Sequence, residues 1–240
     1  MVIAVPSKSR AGRAPTLTYL GHLATAFVPE NEYNAYRLVY PAVRVEAVPL
    51  TVRGITATRN WILDNVQDAR VVFVDDDLKT QGYMELLGQS ARQRKLKPHQ
   101  WVAEWARLFE ITEQLALRVW GVATDGALRS VYPWKPFIWH TYLTASCMGI
   151  VNDGRTRFDE SFPVKEDYEL GLRCVAEDGA IVGARYLYWV NAHWGTEGGC
   201  RDYRTQEMER KAIDRLTGMY PGIVRQVERG GSTFSIDLEF

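Results

Sequence analysis

Four apolar residues run straight into three carboxylates at Val71-Val72-Phe73-Val74-Asp75-Asp76-Asp77, followed by Leu78. A short, mostly β-branched run of this kind reads as a strand buried on both faces, as in the middle of a parallel sheet. The acids then fall at its carboxyl end, where open α/β sheets place their ligands. Three like charges at one strand end repel each other and resist desolvation, and a cation relieves both. The sequence therefore suggests a divalent metal at this strand end with an anionic ligand on its far side. Taken alone, three acids also fit a solvated turn.

The chain has 240 residues, 46% of them hydrophobic, which suits one large α/β domain and excludes a disordered chain. Lys plus Arg and Asp plus Glu each total 29. That balance excludes a positive field over the whole surface, so nucleic acid would have to meet a local patch. Met1 to Pro6 reads as a strand rather than a secretory leader, being short and without a basic start. No apolar stretch reaches membrane-spanning length, and no basic amphipathic helix points to a membrane partner. Cys147, Cys174 and Cys200 form no close pair, which suggests neither a disulfide framework nor a zinc ribbon but a reducing, cytoplasmic setting.

In chain order, a first strand at Val2 to Pro6 leads into the polar loop Ser7 to Arg13, whose Lys8, Arg10 and Arg13 suit a phosphorylated ligand as well as plain solvent. A helix is expected over Thr16 to Ala26, a strand ending at Glu30, a helix over Asn31 to Tyr40 and an edge strand over Val43 to Val48. Gly54 to Asn60 leads into a helix at Trp61 to Asp64, with Thr56 or Thr58 as cap. Strand and helix alternate up to Val74, as in a doubly wound, mostly parallel sheet. Helices are expected over Gln81 to Gln93 and, from apolar spacings of three and four, over Trp101 to Trp120. Arg92, Arg94, Lys95 and Lys97 make a compact basic run, the best local candidate for nucleic-acid phosphates and equally a solvated helix end. Strands are expected at Val119 to Ala123, Ile138 to Leu143 and Ala180 to Val190. Further helices fall at Tyr168 to Glu177 and Thr205 to Leu216, and a tail packs as an edge segment. Gly149 suits close approach of backbone to a ligand.

In this order the motifs resemble a known family. Gly54 with Arg59-Asn60, then Asp75 to Asp77, resembles the core of family-2-type, GT-A-fold glycosyltransferases. Phe158-Asp159-Glu160 followed by Glu166-Asp167-Tyr168-Glu169-Leu170 and Arg173 resembles their acidic catalytic motif, and Gly149 their preceding glycine loop. Val5 to Arg13, Phe27 to Tyr33 and Gly54 to Asn60 are most similar to the TET-associated glycosyltransferases of bacteriophages, which decorate hydroxymethylated cytosine in DNA. The resemblance implies a single GT-A (Rossmann-like) α/β domain over 1–240, with its mostly parallel central sheet flanked by helices. Within it, 1–80 would bind nucleotide, 81–137 would be a helical insert, 138–200 the acceptor and catalytic half, and 201–240 a C-terminal helix and tail. It also implies the host cytoplasm as the site of action.

What the resemblance implies about roles follows residue by residue. Asp77 is the principal ligand of Mn²⁺ or Mg²⁺, with Asp75 also contacting the nucleoside and His193 completing the protein's ligands. Pro6, Ser7, Lys8, Arg10, Arg13, Glu30, Arg59, Asp75, Asp76 and Gly149 line the UDP-sugar. Asp167, at a helix start where backbone amides favour its ionised form, is the base of an inverting displacement, and Glu166 positions substrate or metal. Without the upstream motifs, Glu166-Asp167 also reads as simple helix capping, and His193 as a structural neighbour of Trp194. Other acceptors, and a metal-dependent nucleotidyltransferase or phosphohydrolase, remain open, since acids after a strand also suit two-metal chemistry.

Overall fold

The computed structural model describes residues 1–87, 90–123, 131, 134–191, 204–229 and 232–239. The first half runs β1 (Val2–Pro6), α1 (Pro15–Leu20), β2 (Thr25–Pro29), α2 (Tyr33–Val39), β3 (Arg44–Val48), α3 (Ile55–Asn65) and β4 (Arg70–Val74). Next come β5 (Leu78–Leu87), β6 (Ser90–Arg94), α4 (Pro98–Gln114), β7 (Val119–Ala123), β8 (Phe137–Ile138) and β9 (Cys147–Val151). The chain closes with α5 (Glu166–Asp178), β10 (Val182–Asn191), α6 (Gln206–Met219), β11 (Val224–Arg229) and β12 (Ser232–Leu238).

β1 pairs in parallel with β2 and β4, and β2 in parallel with β3. The chain therefore steps outward from β1 to β3, then returns to β1's other side. Such a reversal opens a crevice beyond the carboxyl ends of the two strands at which it occurs. Here those ends carry Ser7 to Arg10 and Asp75 to Asp77. The four apolar residues of β4 are fully buried, as their sequence pattern predicts. Val72 and Val74 enter the core that holds Leu17, Trp101 and Trp105, whereas Val71 and Phe73 enter the one that holds Ile62, Met148 and Leu170. Burying a side chain of this size stabilises by roughly 1.5–3 kcal/mol, so the acids stand on a rigid base.

Beyond β4 the sheet becomes mixed. β9 inserts between β4 and β7, antiparallel to both, while β10 runs parallel to β7 and antiparallel to β5. β1, β2, β3, β4, β6, β7 and β10 share one direction, and helices flank the sheet.

Several expectations need correction. Residues 81–87 and 90–93 are strand, not helix; β5 and β6 make a hairpin in which Tyr83 faces Arg94 and Glu85 faces Arg92. Glycine already weakens a helix by about 1 kcal/mol, and a Cβ at Gly82 would stand 2.2 Å from the Arg94 carbonyl oxygen. The expected insert over 81–137 is therefore not wholly helical and contributes strands to the central sheet. α4 stops at Gln114 because Ala116 turns into the left-handed region, at φ 56°. The strand expected over 138–143 shrinks to two residues. The tail pairs with itself: β11 and β12 form a separate hairpin. Val224 and Ile236 pack with Ala212, Ile213 and Leu216 of α6 on Phe162, Val164 and Leu172. Among the described residues no helix is long and apolar enough to cross a membrane. Cys147 and Cys174 are buried free thiols, and Cys200 lies outside the described residues.

Candidate active site

The turn after β4 is held by segments remote in sequence. The Thr16 hydroxyl donates to the Asp75 carbonyl at 2.7 Å and accepts the Leu78 amide at 2.9 Å. Asp76 is buried, and both its oxygens are taken by the loop after Pro6: Ser7 donates to one and Arg10 pairs with the other. Tyr36 completes this seat, its hydroxyl 2.7 Å from the Ser7 hydroxyl and accepting the Arg10 amide at 3.0 Å. Asp76 thus anchors the loop to the sheet. Arg10 also lies 3.8 Å from Asp77. Lys8 and Arg13 remain exposed, with Arg13 donating to the Ser9 carbonyl at 2.8 Å. Glu30, exposed beyond the end of β2, accepts the Leu50 amide at 3.1 Å.

Asp75 faces other partners: Arg59 at 3.3 Å, the Ser146 hydroxyl at 3.0 Å and the Asn191 side-chain amide at 3.2 Å. Asp77 is only 7% exposed, yet among the described residues its Oδ1 has no hydrogen-bond partner. Desolvation pushes its pKa up to about 7, with the charges of Asp75 and Asp76 adding and Arg10 only partly offsetting. A buried carboxylate oxygen without a donor is costly, and a hard, oxygen-seeking cation removes that cost. Asp77 therefore offers a divalent ion an open oxygen, and burial of Asp76 and Asp77 rules out a merely solvated acidic turn. Among the described residues no group of three His, Cys, Asp or Glu side chains is gathered for a metal. His193 lies outside the described residues.

Arg59 joins this strand end to the second acidic motif. Its guanidinium is almost fully buried, pairs with both Asp75 and Glu166, and lies 5.6 Å from the Phe158 ring centroid. The next residue, Asn60, accepts the Phe158 amide at 2.8 Å and donates to its carbonyl at 2.9 Å. Thr56 is no cap; it lies inside α3 and donates to the Phe162 carbonyl at 2.8 Å. The helix starts earlier than expected because Gly54, at φ 87°, supplies the left-handed residue before it. α3 thereby grips the 158–162 segment that delivers α5.

Glu166 and Asp167 open α5. Burial, with the neighbouring Asp167, pushes Glu166 up to about 7 against the pull of Arg59. Asp167 accepts the Ala145 and Tyr168 amides, each at 2.9 Å. Its pKa is nevertheless raised, because burial outweighs those amides, Arg59 and Lys165. This corrects the picture of a carboxylate simply held ionised. It also separates Asp167 from plain capping, since the N-cap is Lys165 and Asp167 reaches a segment of β9's approach. A raised pKa brings a general base closer to neutral operating pH.

Two expectations fall elsewhere. Gly149 sits inside β9 opposite Val72, where an added Cβ would stand 2.1 Å from the Trp120 ring. Its close neighbour is the Trp120 indole. Arg92 and Arg94 converge on Glu85 from the exposed edge strand β6, with Lys95 and Lys97 exposed beside them. Sequence reasoning missed Thr16, Tyr36, Ser146 and Asn191; only Ser146 carried a signal, its place in the small-residue-rich stretch Ala145 to Gly149 that leads into and through β9.

The model of a family described as TET-Associated Glycosyltransferase matches residues 1–199. Among solved structures, S. aureus TarS is similar over 90% of this chain and 66% of its own, at 13% identity and a TM-score of 0.52. The mannosyltransferase PcManGT from Pyrobaculum calidifontis, in complex with GDP-Man and Mn²⁺, gives 91% and 61%, at 12% identity and 0.53. Glucosyl-3-phosphoglycerate synthase from Mycobacterium tuberculosis gives 93% and 82%, at 14% identity and 0.55. The chain thus spans about two thirds of the first of these structures, and the likeness establishes the GT-A fold. No curated protein matches the sequence.

Proposed function

This chain belongs to the TET-associated glycosyltransferase family, and we propose that it moves a sugar from a UDP-sugar to a hydroxyl by a single inverting displacement. The acceptor proposed is 5-hydroxymethylcytosine in phage DNA. The observation that carries the reading is Arg59, which ties Asp75 at the strand end to Glu166 at the start of α5. The acids suited to a donor and the acids suited to an acceptor so share one buried ionic network. The nucleotide sugars in two solved neighbours, UDP-GlcNAc in TarS and GDP-Man in PcManGT, support the donor class.

Asp75 and Asp77, with His193 as proposed third ligand, would hold Mn²⁺ or Mg²⁺, which supplies charge neutralisation to a departing diphosphate. Lys8, Arg10 and Arg13 offer donors to the phosphates from the loop after β1, and Ser7 with Asp76 keeps that loop seated. Asp167 takes the proton of the acceptor hydroxyl as the new C–O bond forms. Glu166, fixed by Arg59, orients the acceptor. Arg92, Arg94, Lys95 and Lys97 are proposed as a local contact for DNA phosphates.

The test is to incubate the protein with Mn²⁺, a panel of UDP-sugars and hydroxymethylcytosine DNA, then digest and weigh the nucleosides. A gain of one sugar on hydroxymethylcytosine is expected, and no gain with any donor removes the DNA acceptor. Asp167→Asn should lower kcat by about 10²–10⁴-fold while donor affinity stays within about twofold. Activity surviving in that variant overturns the base assignment. The balanced charge of 29 against 29 favours a sugar or other small acceptor as second reading; UDP release with that acceptor would support it. Phosphate or pyrophosphate release would instead indicate phosphohydrolase or nucleotidyltransferase chemistry.

A further inference from the structure

Directly before the two carboxylates of α5 stands Lys165, at φ 57° in the left-handed region that a lysine rarely adopts. Its side chain is 8% exposed, with Nζ 3.3 Å from Glu209 Oε2 and 4.8 Å from the Tyr168 ring centroid. Glu209 is itself buried, and its other oxygen is taken by Arg204. Tyr168 stacks on Tyr142 with centroids 4.2 Å apart. Tyr142 lies shortly before Ala145, whose amide holds Asp167. Lys165 therefore touches the surroundings of Asp167 from one side while its charge is satisfied from α6.

Glu209 lies beyond residues 1–199, the span matched by the family model. The unit that carries it docks through an apolar seam of its own, Ala212, Ile213 and Leu216 on Phe162, Val164 and Leu172. Adhesion by that seam needs no ion pair. A buried pair of this kind adds little net stability, because desolvating two charges offsets their attraction. What the pair does supply is a tether: Nζ and Oε2 attract at 3.3 Å without hydrogen-bond geometry, and this limits where the turn before the helix can sit.

We infer that Lys165 and Glu209 form a strap that sets the turn into α5 and so aims Asp167. The α6 and hairpin unit is then part of the catalytic apparatus through a positioning contact. Neither residue meets a reacting atom. The inference rests on the reading of Asp167 as the base.

The decisive variant of the full chain is Lys165→Met with Glu209→Met, which replaces the pair by apolar side chains and so preserves the fold. With UDP-sugar, Mn²⁺ and hydroxymethylcytosine DNA, kcat should fall at least tenfold while donor KM stays within twofold. Glu209→Gln should behave alike, and Glu209→Asp should recover most of the loss. Amide hydrogen exchange supplies a readout that needs no acceptor. Exchange at Tyr168 and Glu169, whose amides bond to Asp167 Oδ1 and the Lys165 carbonyl, should quicken at least tenfold in the double variant, with α3 unchanged. Wild-type kcat in the folded double variant, or unchanged exchange at Tyr168 and Glu169, overturns the strap. Full activity in Asp167→Asn would overturn the base reading instead, whatever Glu209 does.

Discussion

The end of β4 and the hairpin that follows it are neighbours in sequence and opposites in surroundings. At the end of β4, Asp76 and Asp77 are buried and share Arg10, while Asp75 leans on a buried Arg59. On the hairpin, Arg92 and Arg94 sit 64% and 54% exposed and share one glutamate, Glu85. Both are clusters of charge with a partner of opposite sign. They differ in dielectric, and that sets what each pair is worth: exposed pairs contribute roughly 0–1 kcal/mol, whereas breaking a buried one costs several. The crevice charges therefore belong to the fold as well as to the proposed chemistry. Those on β6 also serve a sheet edge, where charge discourages pairing with another chain.

Removing Arg59 should show the contrast most strongly. Arg59→Met leaves Glu166 unpaired in the interior and withdraws one partner from Asp75. A loss of about 3–5 kcal/mol is expected from chemical denaturation, together with loss of turnover. An effect below about 1 kcal/mol would mean that the two acidic motifs are not coupled through it. Next comes Asp77→Asn, with opposite signs for its two effects. Its Oδ1 is buried without a donor, so the neutral amide should leave the chain as stable as before or more stable. Turnover should fall about 100-fold or more as metal affinity is lost. Equal loss of stability and activity would make Asp77 a structural acid.

That the β4 region is legible in the sequence and the hairpin is not has a physical answer. A strand buried on both faces writes its environment into its own residues, and Val71 to Val74 need no partner to be recognised. The same holds for the β–α alternation up to β4, the acids at the strand end, and Glu166-Asp167 before an amphipathic helix. β5 takes its conformation from β10, to which Tyr83 is joined opposite Leu187. Nothing local to residues 78–87 states that pairing. Gly149 misleads for a related reason: only the register that sets it beside Trp120 reveals why it must be small. Thr16, Tyr36, Asn191 and Glu209 act across gaps of chain that periodicity does not bridge. Asp76 looks like its neighbours in sequence, and only its Ser7 and Arg10 partners set it apart.

A smaller effect, of pH, follows from burial at the strand end. Asp77 keeps its proton in the folded chain up to about pH 7, against an ordinary value of 3.8. Between those limits the folded state holds a proton that the unfolded chain has released, so this group's contribution to stability falls as pH rises from about 4 to about 7. Below and above that window it is flat. Mn²⁺ must displace the same proton, so its affinity should climb by up to about tenfold per unit toward pH 7 and then level off. Calorimetric titration with Mn²⁺ from pH 5.5 to 8 measures this directly. A pH-independent affinity would mean that Asp77 is not a ligand. Arg92→Gln, by contrast, should leave the profile unmoved.

The smallest effect is expected on the hairpin, and it separates edge protection from nucleic-acid binding. Replacing Arg92, Arg94, Lys95 and Lys97 together with Gln removes exposed charges whose described partners are Glu85, for Arg92 and Arg94, and the Tyr83 ring, 5.6 Å from the Arg94 guanidinium. Stability should move by no more than about 0.5 kcal/mol, as for surface substitutions generally. If the run meets DNA phosphates, binding should weaken for all sequences alike, and the slope of log affinity against log salt should shrink by about 0.9 for each phosphate that is no longer neutralised. An unchanged slope with unchanged affinity would leave β6 as a guarded edge and move the search for the DNA face elsewhere on the fold. A variant that instead self-associates, seen as a concentration-dependent mass in light scattering, would show that these charges kept the edge of β6 from pairing with a second chain.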